Sequence, residues 1–403
     1  MSGQLADTGL VFLPWDVALE DWPDEQVVAL PRGISRHVVR FVRLPGGVFA
    51  IKEVEQRYAE REHELLVLLN RRGIPCVEPI GVIAQRVDSS GEPLPAALIT
   101  RHLAFSLPYR ALFSSSLRGD TAGRLLDALA LLLVQVHLAG FAWNDCSLSN
   151  TLFRRDAEAF AAYLVDAETG ELHPSLSRGQ REYDLDTAAT NAVGELMDLQ
   201  AGGRLQEDID PVSTGLSLRR RYDRLWERVT TPIVITRDDR YALEKHMRAL
   251  NALGFDVAEL QLHTEPDGEH VHVRPKVVDV GYHSSRLIRL TGLDVEENQA
   301  RRLLIDLDSY RIKLGLGLKD EEFAAHRWVT DRFELVRTSV PQQMRGKLEP
   351  AQIFHEVLEH RWFMSERAGA SVPFTEAVED YVANILAAKP DEQAVLGARI
   401  ERS

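Results

Sequence analysis

Alternating apolar and polar positions dominate the first hundred residues and predict β-strands. The runs HVVRFVRL and VFAIKEV stand on either side of a Pro-Gly-Gly turn at 45–47, a pattern that predicts an antiparallel hairpin. Leucines at helical spacing predict a helix over 58–72, which stops at Gly73. Strand patterns return at 77–85 and 96–100. The first part of the chain is therefore expected to form a small sheet with one helix.

Helical periodicity takes over after residue 120. An apolar helix is predicted over 122–137, and the short runs TLF and AYLVD predict a strand pair around a polar stretch at 154–158. Another helix is predicted over 186–199, and the Ala-Gly-Gly segment at 201–203 ends it. We place a domain boundary there, which divides the chain into 1–203 and 204–403.

The second half is predicted to be mostly helical. Helices are expected over 218–228 and 238–253, and repeatedly from 296 to the end. Between them, the runs AELQLHT and HVHVRPKVV flank an Asp-Gly turn, which predicts a β-hairpin near 257–280. The predicted fold class is α+β, with a sheet-containing first domain and a mainly helical α+β second domain.

Bulk composition restricts the classes of partner. The 403 residues are enough for two domains, and the net charge of −14 disfavours nucleic-acid binding, which needs a basic face. Cys76 and Cys146 match no metal or redox spacing. We find neither a signal-peptide pattern nor an uninterrupted apolar run of about 18 residues. We therefore expect a cytoplasmic protein without a membrane span.

The strongest chemical signal lies between the apolar helix and the strand TLF. There, Asp145 precedes Asn150 by five positions, which resembles the catalytic loop of the protein-kinase-like superfamily. The resemblance implies that Asp145 orients the substrate hydroxyl and that Asn150 binds magnesium. The alternative is an aspartate and an asparagine that only cap a turn between helix and strand.

Further charged groups of that superfamily follow in the expected order. Lys52 lies at the end of a strand, where the lysine of kinases contacts the α- and β-phosphates. Glu62 on the next helix is its expected partner, with Glu64 as the competitor. Asp166 ends an apolar strand, as the metal-binding aspartate of kinases does.

Over 1–203 these residues resemble the RIO and lipopolysaccharide-kinase branch of the superfamily. The whole chain resembles an uncharacterised bacterial family with a C-terminal domain of unknown function. The resemblance implies a two-lobed fold, with a small antiparallel sheet lobe and a helical lobe, and it implies ATP with Mg²⁺ or Mn²⁺ as cofactors. It also implies an aspartate that braces the catalytic loop, either Asp184 or Asp186. The acceptor, a protein or a small molecule, stays open, as does the oligomeric state.

Several positions depart from the kinase pattern. The phosphate loop at 31–37 has one glycine in place of GxGxxG, and the metal-binding triplet is Asp-Ala-Glu. Trp143 and Asn144 replace the usual histidine and arginine before the catalytic aspartate. The residues expected to contact the nucleotide are Lys52, Gly33, Ser35 and, through the hinge backbone, Arg101, His102 and Leu103.

Two alternatives to an active kinase stay open. One is a nucleotide-binding pseudokinase that acts as a scaffold through its C-terminal domain, and the other is transfer of AMP on the same fold. In the second half, His355 and His360 are five positions apart and diverge by about 140° on a helix, so we do not expect a zinc pair. We expect His270 and His272 to be a surface pair, and 281–289 to contain a helix N-terminus.

Overall fold

The computed structural model describes residues 9–23, 27–28, 37–114, 121–231, 233–236, 240–251, 254–264 and 270–393. Contacts divide the chain into two units. The first comprises 1–153, 162–223 and 396–403, and the second comprises 154–161 and 224–395. The sequence-based boundary after residue 203 stays a prediction.

A four-stranded antiparallel sheet begins the first unit. Its strands are β1 (Val39–Leu44), β2 (Gly47–Val54), β3 (Glu78–Ile83) and β4 (Ala96–Arg101), in the order β1-β2-β4-β3. Successive side chains of a strand point to opposite faces. Phe49 and Ile51 therefore enter one core, together with Leu10 and Trp22 from the residues before the sheet, while Lys52 points to the other face.

Helix α1 (Gln56–Arg71) packs on that other face. Its Ala59 joins a small apolar cluster with Val54 and Leu98 of the sheet. Residues three apart on a helix are neighbours, so Glu62 lies beside Ala59 and is buried with it. The apolar face of α1 thus carries one carboxylate towards the sheet.

The remaining elements of the first half are short strands and long helices. They are β5 (Ser106–Pro108), α2 (Tyr109–Ser114), α3 (Thr121–Leu138), β6 (Phe141–Ala142), β7 (Thr151–Asp156), β8 (Ala159–Leu164), β9 (Glu171–Leu172), α4 (Arg178–Ala201) and α5 (Pro211–Thr230). One sheet has the order β5-β7-β8, and β6 pairs with β9. The β6–β9 pair connects the residues before the predicted catalytic loop with those after Asp166.

Helix α4 begins eight residues before the predicted start at 186. Ser177 and Gln180 form a capping box, in which the Gln180 N–H donates to Ser177 Oγ at 3.2 Å. The first two turns of α4 are polar, so the apolar periodicity that defines the helix becomes visible only from Leu185 onward.

Helix α3 is apolar along its whole length. Among the described helices it is the one whose length and hydropathy would suffice to cross a membrane, and 56% of that window is buried inside the protein. Leu125, Leu129, Leu132 and Val136 are fully buried. This burial is typical of the core helix of a globular domain.

The second unit contains a three-stranded sheet and a helical core. Its elements are β10 (Ile233–Thr236), α6 (Arg240–Asn251), β11 (Phe255–Thr264), β12 (His270–Val280), α7 (Tyr282–Thr291), α8 (Glu297–Lys313), α9 (Glu321–Trp328), α10 (Glu334–Ser339), α11 (Pro350–Ala368) and α12 (Phe374–Asp380). The sheet has the order β10-β12-β11 and is antiparallel. The rings of Trp328, Phe333 and Phe354 pack against one another in the helical core, with Trp328 and Phe354 edge to face. The predicted α+β class, with a sheet lobe, a helical lobe and a mainly helical C-terminal region, is confirmed.

Candidate active site

Three carboxylates surround the ammonium of Lys52. Its Nζ lies 3.0 Å from Glu62 Oε2, 3.0 Å from Asp166 Oδ2 and 3.1 Å from Glu168 Oε2. Strand β2 supplies the lysine, α1 supplies Glu62, and the segment after β8 supplies the other two. The predicted partner Glu62 is therefore the one in contact, whereas Glu64 is exposed on the same helix.

Burial and charge act in opposite directions on this cluster. Burial disfavours the Lys52 ammonium, but the charges of Glu62 and Asp166 outweigh it and raise the pKa of Lys52 above its ordinary value. Burial, together with the charge of Asp166, raises the pKa of Glu62 to about 7 despite the attraction of Lys52. Lys52 therefore remains a cation, which is the form that binds phosphate oxygens.

The predicted catalytic loop folds back on itself between Asp145 and Asn150. Asn150 Nδ2 donates to the Asp145 carbonyl oxygen at 2.9 Å and to Asp145 Oδ2 at 3.3 Å. The Asn150 N–H donates to Ser147 Oγ at 3.0 Å. These bonds involve the backbone N–H and the side-chain Nδ2 of Asn150 and not its Oδ1.

Asp166 lies next to this loop. The Val165 N–H donates to the Asn150 carbonyl at 3.1 Å, which joins the residue before Asp166 directly to Asn150. The indole of Trp143 donates to the Asp166 carbonyl at 2.7 Å, and the Glu168 N–H donates to Asp166 Oδ1 at 3.0 Å. The structure thus brings Lys52, Glu62, Asp145, Asn150 and Asp166 into one region.

Asp184 braces the loop, and Asp186 does not. The Asp184 carboxylate is fully buried and accepts the N–H groups of Trp143 at 2.7 Å and Asn144 at 2.8 Å. It also lies 3.0 Å from His137 Nε2. Asp186 is on the surface, where it pairs with Arg219.

Sequence reasoning missed a second brace on the same helix. Glu195 accepts the N–H groups of Leu148 and Ser149, each at 2.8 Å, through its two carboxylate oxygens. Asn191 Nδ2 donates to the Cys146 carbonyl at 3.0 Å. Positions 184, 191 and 195 fall on one face of a helix with 3.6 residues per turn. This spacing could have indicated that Asn191 and Glu195 face the same loop as Asp184.

Glu168 and His37 are further members of the cluster that the sequence did not assign. Glu168 Oε2 lies 3.1 Å from His37 Nε2 as well as 3.1 Å from Lys52 Nζ. His37 ends the segment 31–37 that was expected to form the phosphate loop. Gly33 and Ser35 of that segment lie outside the described residues.

A cleft of about 1030 Å³ opens in front of these groups. The residues that line it include Lys52, Glu62, Asp145, Asn150, Asp166, Glu168 and the hinge residues Arg101, His102 and Leu103. The volume is at the upper end of the range for small-molecule and cofactor sites. Helix α4 contributes polar side chains, among them Thr190 and Asp198, to the lining.

Part of the hinge backbone is already hydrogen-bonded. The His102 N–H donates to the Val48 carbonyl at 2.8 Å, and Ser106 Oγ donates to the Leu103 carbonyl at 2.7 Å. Arg101 pairs with Glu78 at 2.6 Å. Burial and the charge of Arg43 lower the pKa of His102 to about 4, so its ring is neutral, and its Nε2 has no hydrogen-bond partner among the described residues.

The donors at the base of the cleft fit a hard divalent cation. The Asn150 amide oxygen and the Asp166 carboxylate are oxygen ligands, which Mg²⁺ and Mn²⁺ prefer. Carboxylate oxygens of Glu62, Asp166 and Glu168 also lie within 4.8 Å of one another, but the Lys52 ammonium already stands among them. Lys52 and the neutral ring of His102, whose Nε2 has no hydrogen-bond partner among the described residues, line the same cleft.

His355 and His360 contact different carboxylates. His355 is buried and lies 3.7 Å from Glu359, whereas His360 contacts Asp380 at 2.6 Å. The side chains of His270 and His272 lie outside the described residues. Gly281 is the N-cap of α7, as expected for a helix N-terminus.

Comparisons with known proteins agree with this arrangement. Residues 48–192 match the model of the lipopolysaccharide kinase (Kdo/WaaP) family, and residues 224–386 match that of a domain of unknown function, DUF4032. A solved structure titled "WaaP in complex with acyl carrier protein" matches with 18% identity and a TM-score of 0.35, over 56% of this chain and 90% of the other. At that TM-score it carries no weight in the assignment, and no curated protein matches the chain. Residues 48–192 are thus similar to the lipopolysaccharide kinase (Kdo/WaaP) family, which fits a kinase-like first part of the chain, and residues 224–386 are similar to DUF4032.

Proposed function

We propose that the kinase-like domain is an ATP-dependent phosphotransferase that transfers the γ-phosphate to a hydroxyl group of a protein or small-molecule acceptor. The observation that supports it best is the contact of Lys52 Nζ with both Glu62 and Asp166 at 3.0 Å. Lys52 and Asp166 are 114 positions apart in the sequence, and both line a cleft of about 1030 Å³. The cytoplasmic location expected from the sequence is part of the proposal.

Each charged group has one task in this proposal. Lys52 holds the α- and β-phosphates, and Glu62 keeps the lysine in place. Asn150 and Asp166 hold Mg²⁺ or Mn²⁺, which neutralises charge on the phosphates when bound. Asp145 orients the acceptor hydroxyl and accepts its proton. Asp184 and Glu195 fix the loop that carries Asp145, because they accept four of its N–H groups.

The distinction between phosphate and AMP transfer depends on which label reaches the acceptor. We would incubate the full chain and a cell extract with Mg²⁺ and ATP labelled either at the γ- or at the α-phosphate. Phosphotransfer predicts protein- or metabolite-bound label from the γ-position alone. AMP transfer predicts label from the α-position, and a pseudokinase predicts thermal stabilisation by ATP and Mg²⁺ with no labelled product.

The control variants come from the same region of the chain. Asp166→Ala is expected to abolish incorporation because it removes a metal ligand, and Asp186→Asn is expected to leave it unchanged because Asp186 lies on the surface. Equal incorporation by the wild type and by Asp166→Ala would contradict the assignment.

A further inference from the structure

A chain of buried hydrogen bonds runs from helix α5 to the Asp184 brace of the catalytic loop. Tyr222 of α5 and His137 in the last turn of α3 are each 2% exposed, and Asp184 is fully buried. The Tyr222 hydroxyl lies 2.7 Å from His137 Nδ1, and His137 Nε2 lies 3.0 Å from Asp184 Oδ2. All three residues belong to the first unit, although α5 lies beyond residues 48–192, which match the kinase family.

The acceptor at the end of this chain decides the direction of each bond. The Trp143 and Asn144 N–H groups both donate to the Asp184 carboxylate, which therefore acts as an acceptor. His137 Nε2 donates to the same carboxylate, and in the neutral ring this leaves Nδ1 as an acceptor. The Tyr222 hydroxyl then donates to Nδ1, so Tyr222 helps to fix which nitrogen of His137 carries the proton.

Tyr222 is itself held by its surroundings. Burial raises the pKa of Tyr222 above its ordinary value, and a hydrogen bond with the Arg181 side chain opposes that rise without cancelling it. The phenol therefore keeps its proton at neutral pH, as a donor to His137 must. The rings of Tyr222 and His137 meet edge to face, with their centroids 5.3 Å apart. The hydroxyl thus accepts from Arg181 and donates to His137, which leaves it little freedom to turn away.

We propose that Tyr222 is a positioning residue of the active site, which acts on the loop around Asp145 through His137 and Asp184. Its hydroxyl holds the His137 ring, the ring holds the Asp184 carboxylate, and the carboxylate holds the two N–H groups immediately before Asp145. Hydrogen bonds in series strengthen one another where water is excluded, so a loss at Tyr222 weakens the bonds at the loop. The inference rests on the proposed function, because that function assigns the acceptor hydroxyl to Asp145.

Hydrogen exchange of the loop amides tests this chain of bonds without reference to activity. Tyr222→Phe keeps the ring and removes only the hydroxyl that donates to His137 Nδ1. Water can replace that donor when the loop opens but not while the site is closed, so the variant favours the open state. We expect the Trp143 and Asn144 amide protons to exchange about tenfold faster in Tyr222→Phe than in the wild type. The measurement is NMR of the isotope-labelled full chain, with the Leu129 amide in the middle of α3 as the reference for global opening.

Leu218→Val is the matched control. Leu218 is a fully buried residue of α5, one turn before Tyr222, so this variant loosens the packing of the same helix and keeps the hydroxyl. Exchange at Trp143 and Asn144, relative to the Leu129 reference, is expected to stay at the wild-type value in Leu218→Val. An unchanged relative rate in Tyr222→Phe would overturn the inference, and an equal rise in Leu218→Val would assign the effect to packing of α5 and overturn it too.

Steady-state kinetics with varied ATP connect the same bonds to turnover. We expect Tyr222→Phe to lower kcat by about tenfold and to leave KM for ATP within about twofold, because Lys52 and the hinge residues take no part in the chain of bonds. Leu218→Val is expected to keep the wild-type kcat. A wild-type kcat in Tyr222→Phe, or a rise in KM for ATP alone, would contradict the positioning role. A wild-type protein that transfers no phosphate would overturn the proposed function instead, and the exchange rates would still decide whether Tyr222 holds the loop.

Discussion

The Asp184 carboxylate accepts the backbone N–H of Asn144 at 2.8 Å, and Asn144 has a φ of 65°. A residue with a side chain rarely adopts this left-handed conformation without a local hydrogen bond to support it. The same carboxylate accepts the N–H of Trp143. One buried acid therefore holds two consecutive N–H groups of the bend immediately before Asp145.

Substitutions at Asn144 test whether the bend is the important feature. Asn144→Gly removes the Cβ that disfavours positive φ and keeps the N–H, but it loses the exposed bond from Asn144 Nδ2 to the Thr169 carbonyl at 3.1 Å. We expect activity within about twofold of the wild type and a change in the free energy of unfolding of no more than about 1 kcal/mol. Asn144→Val places a β-branched residue in that conformation and is expected to lower the free energy of unfolding by about 1–2 kcal/mol. Urea denaturation measures the second effect. Equal stability of the two variants would show that the left-handed bend carries no strain.

Glu195 provides a prediction about turnover. It accepts two N–H groups of the catalytic loop at 2.8 Å, one with each oxygen. In Glu195→Gln one of those oxygens becomes an NH₂ group, which leaves one loop N–H without an acceptor at a cost of about 1–3 kcal/mol. We expect kcat to fall about tenfold or more while KM for ATP changes little, because the loop orients the acceptor and not the nucleotide.

The control for this variant is on the same helix. Glu182 pairs with Arg178 on the exposed surface, so Glu182→Gln is expected to have wild-type kinetics. Steady-state kinetics with varied ATP separate kcat from KM. A rise in KM for ATP without a fall in kcat would assign Glu195 to nucleotide binding.

The pKa of Glu62 predicts a pH dependence of turnover. Burial and the charge of Asp166 raise this pKa from 4.5 to about 7, so the ionised form that pairs with Lys52 predominates only above that pH. We expect the rate to increase as pH rises through about 7, and we expect Glu62→Gln to lower the plateau and remove the increase. Glu64→Gln, exposed on the same helix, should retain the wild-type profile. An unchanged profile in Glu62→Gln would assign the pH dependence to another group.

The sequence predicted those parts of the fold and the site that depend on local pattern. The spacing of Asp145 and Asn150 within one loop, and the strands and helices around Lys52 and Glu62, follow from residues that are close in sequence. That these separate segments come together at one site was predicted only from the resemblance to known kinases. The local sequence pattern alone does not predict that Lys52 of β2 contacts Asp166, which lies 114 positions later in the chain.

The features that the sequence did not predict depend on tertiary contacts. Glu195 looked like an ordinary helix residue, because its partners are backbone N–H groups of a loop 46 and 47 positions away. Glu168 was visible only as a departure from the usual triplet, although it contacts both Lys52 and His37. The polar stretch at 154–158 was expected only to lie between two strands, and the burial of Asp156 and Ala157 within it involves hydrogen bonds with Gln299 and Gln352.

Asp156 provides a stability prediction whose sign depends on which effect dominates its pKa. Burial raises this pKa from 3.8 to about 6, against the hydrogen bonds from Gln299 and Asn298 that lower it. Between these two pH values the folded state binds the proton more tightly than the unfolded state, so the contribution of Asp156 to stability is largest below pH 4 and decreases as pH rises through about 6. We would compare wild type and Asp156→Asn, which does not titrate, by urea denaturation at pH 4, 5, 6 and 7. The stability of the wild type relative to the variant is expected to fall by up to about 3 kcal/mol over this range. An increase of that difference with pH would show that the bonds to the start of α8 dominate and that the carboxylate is the favoured form throughout.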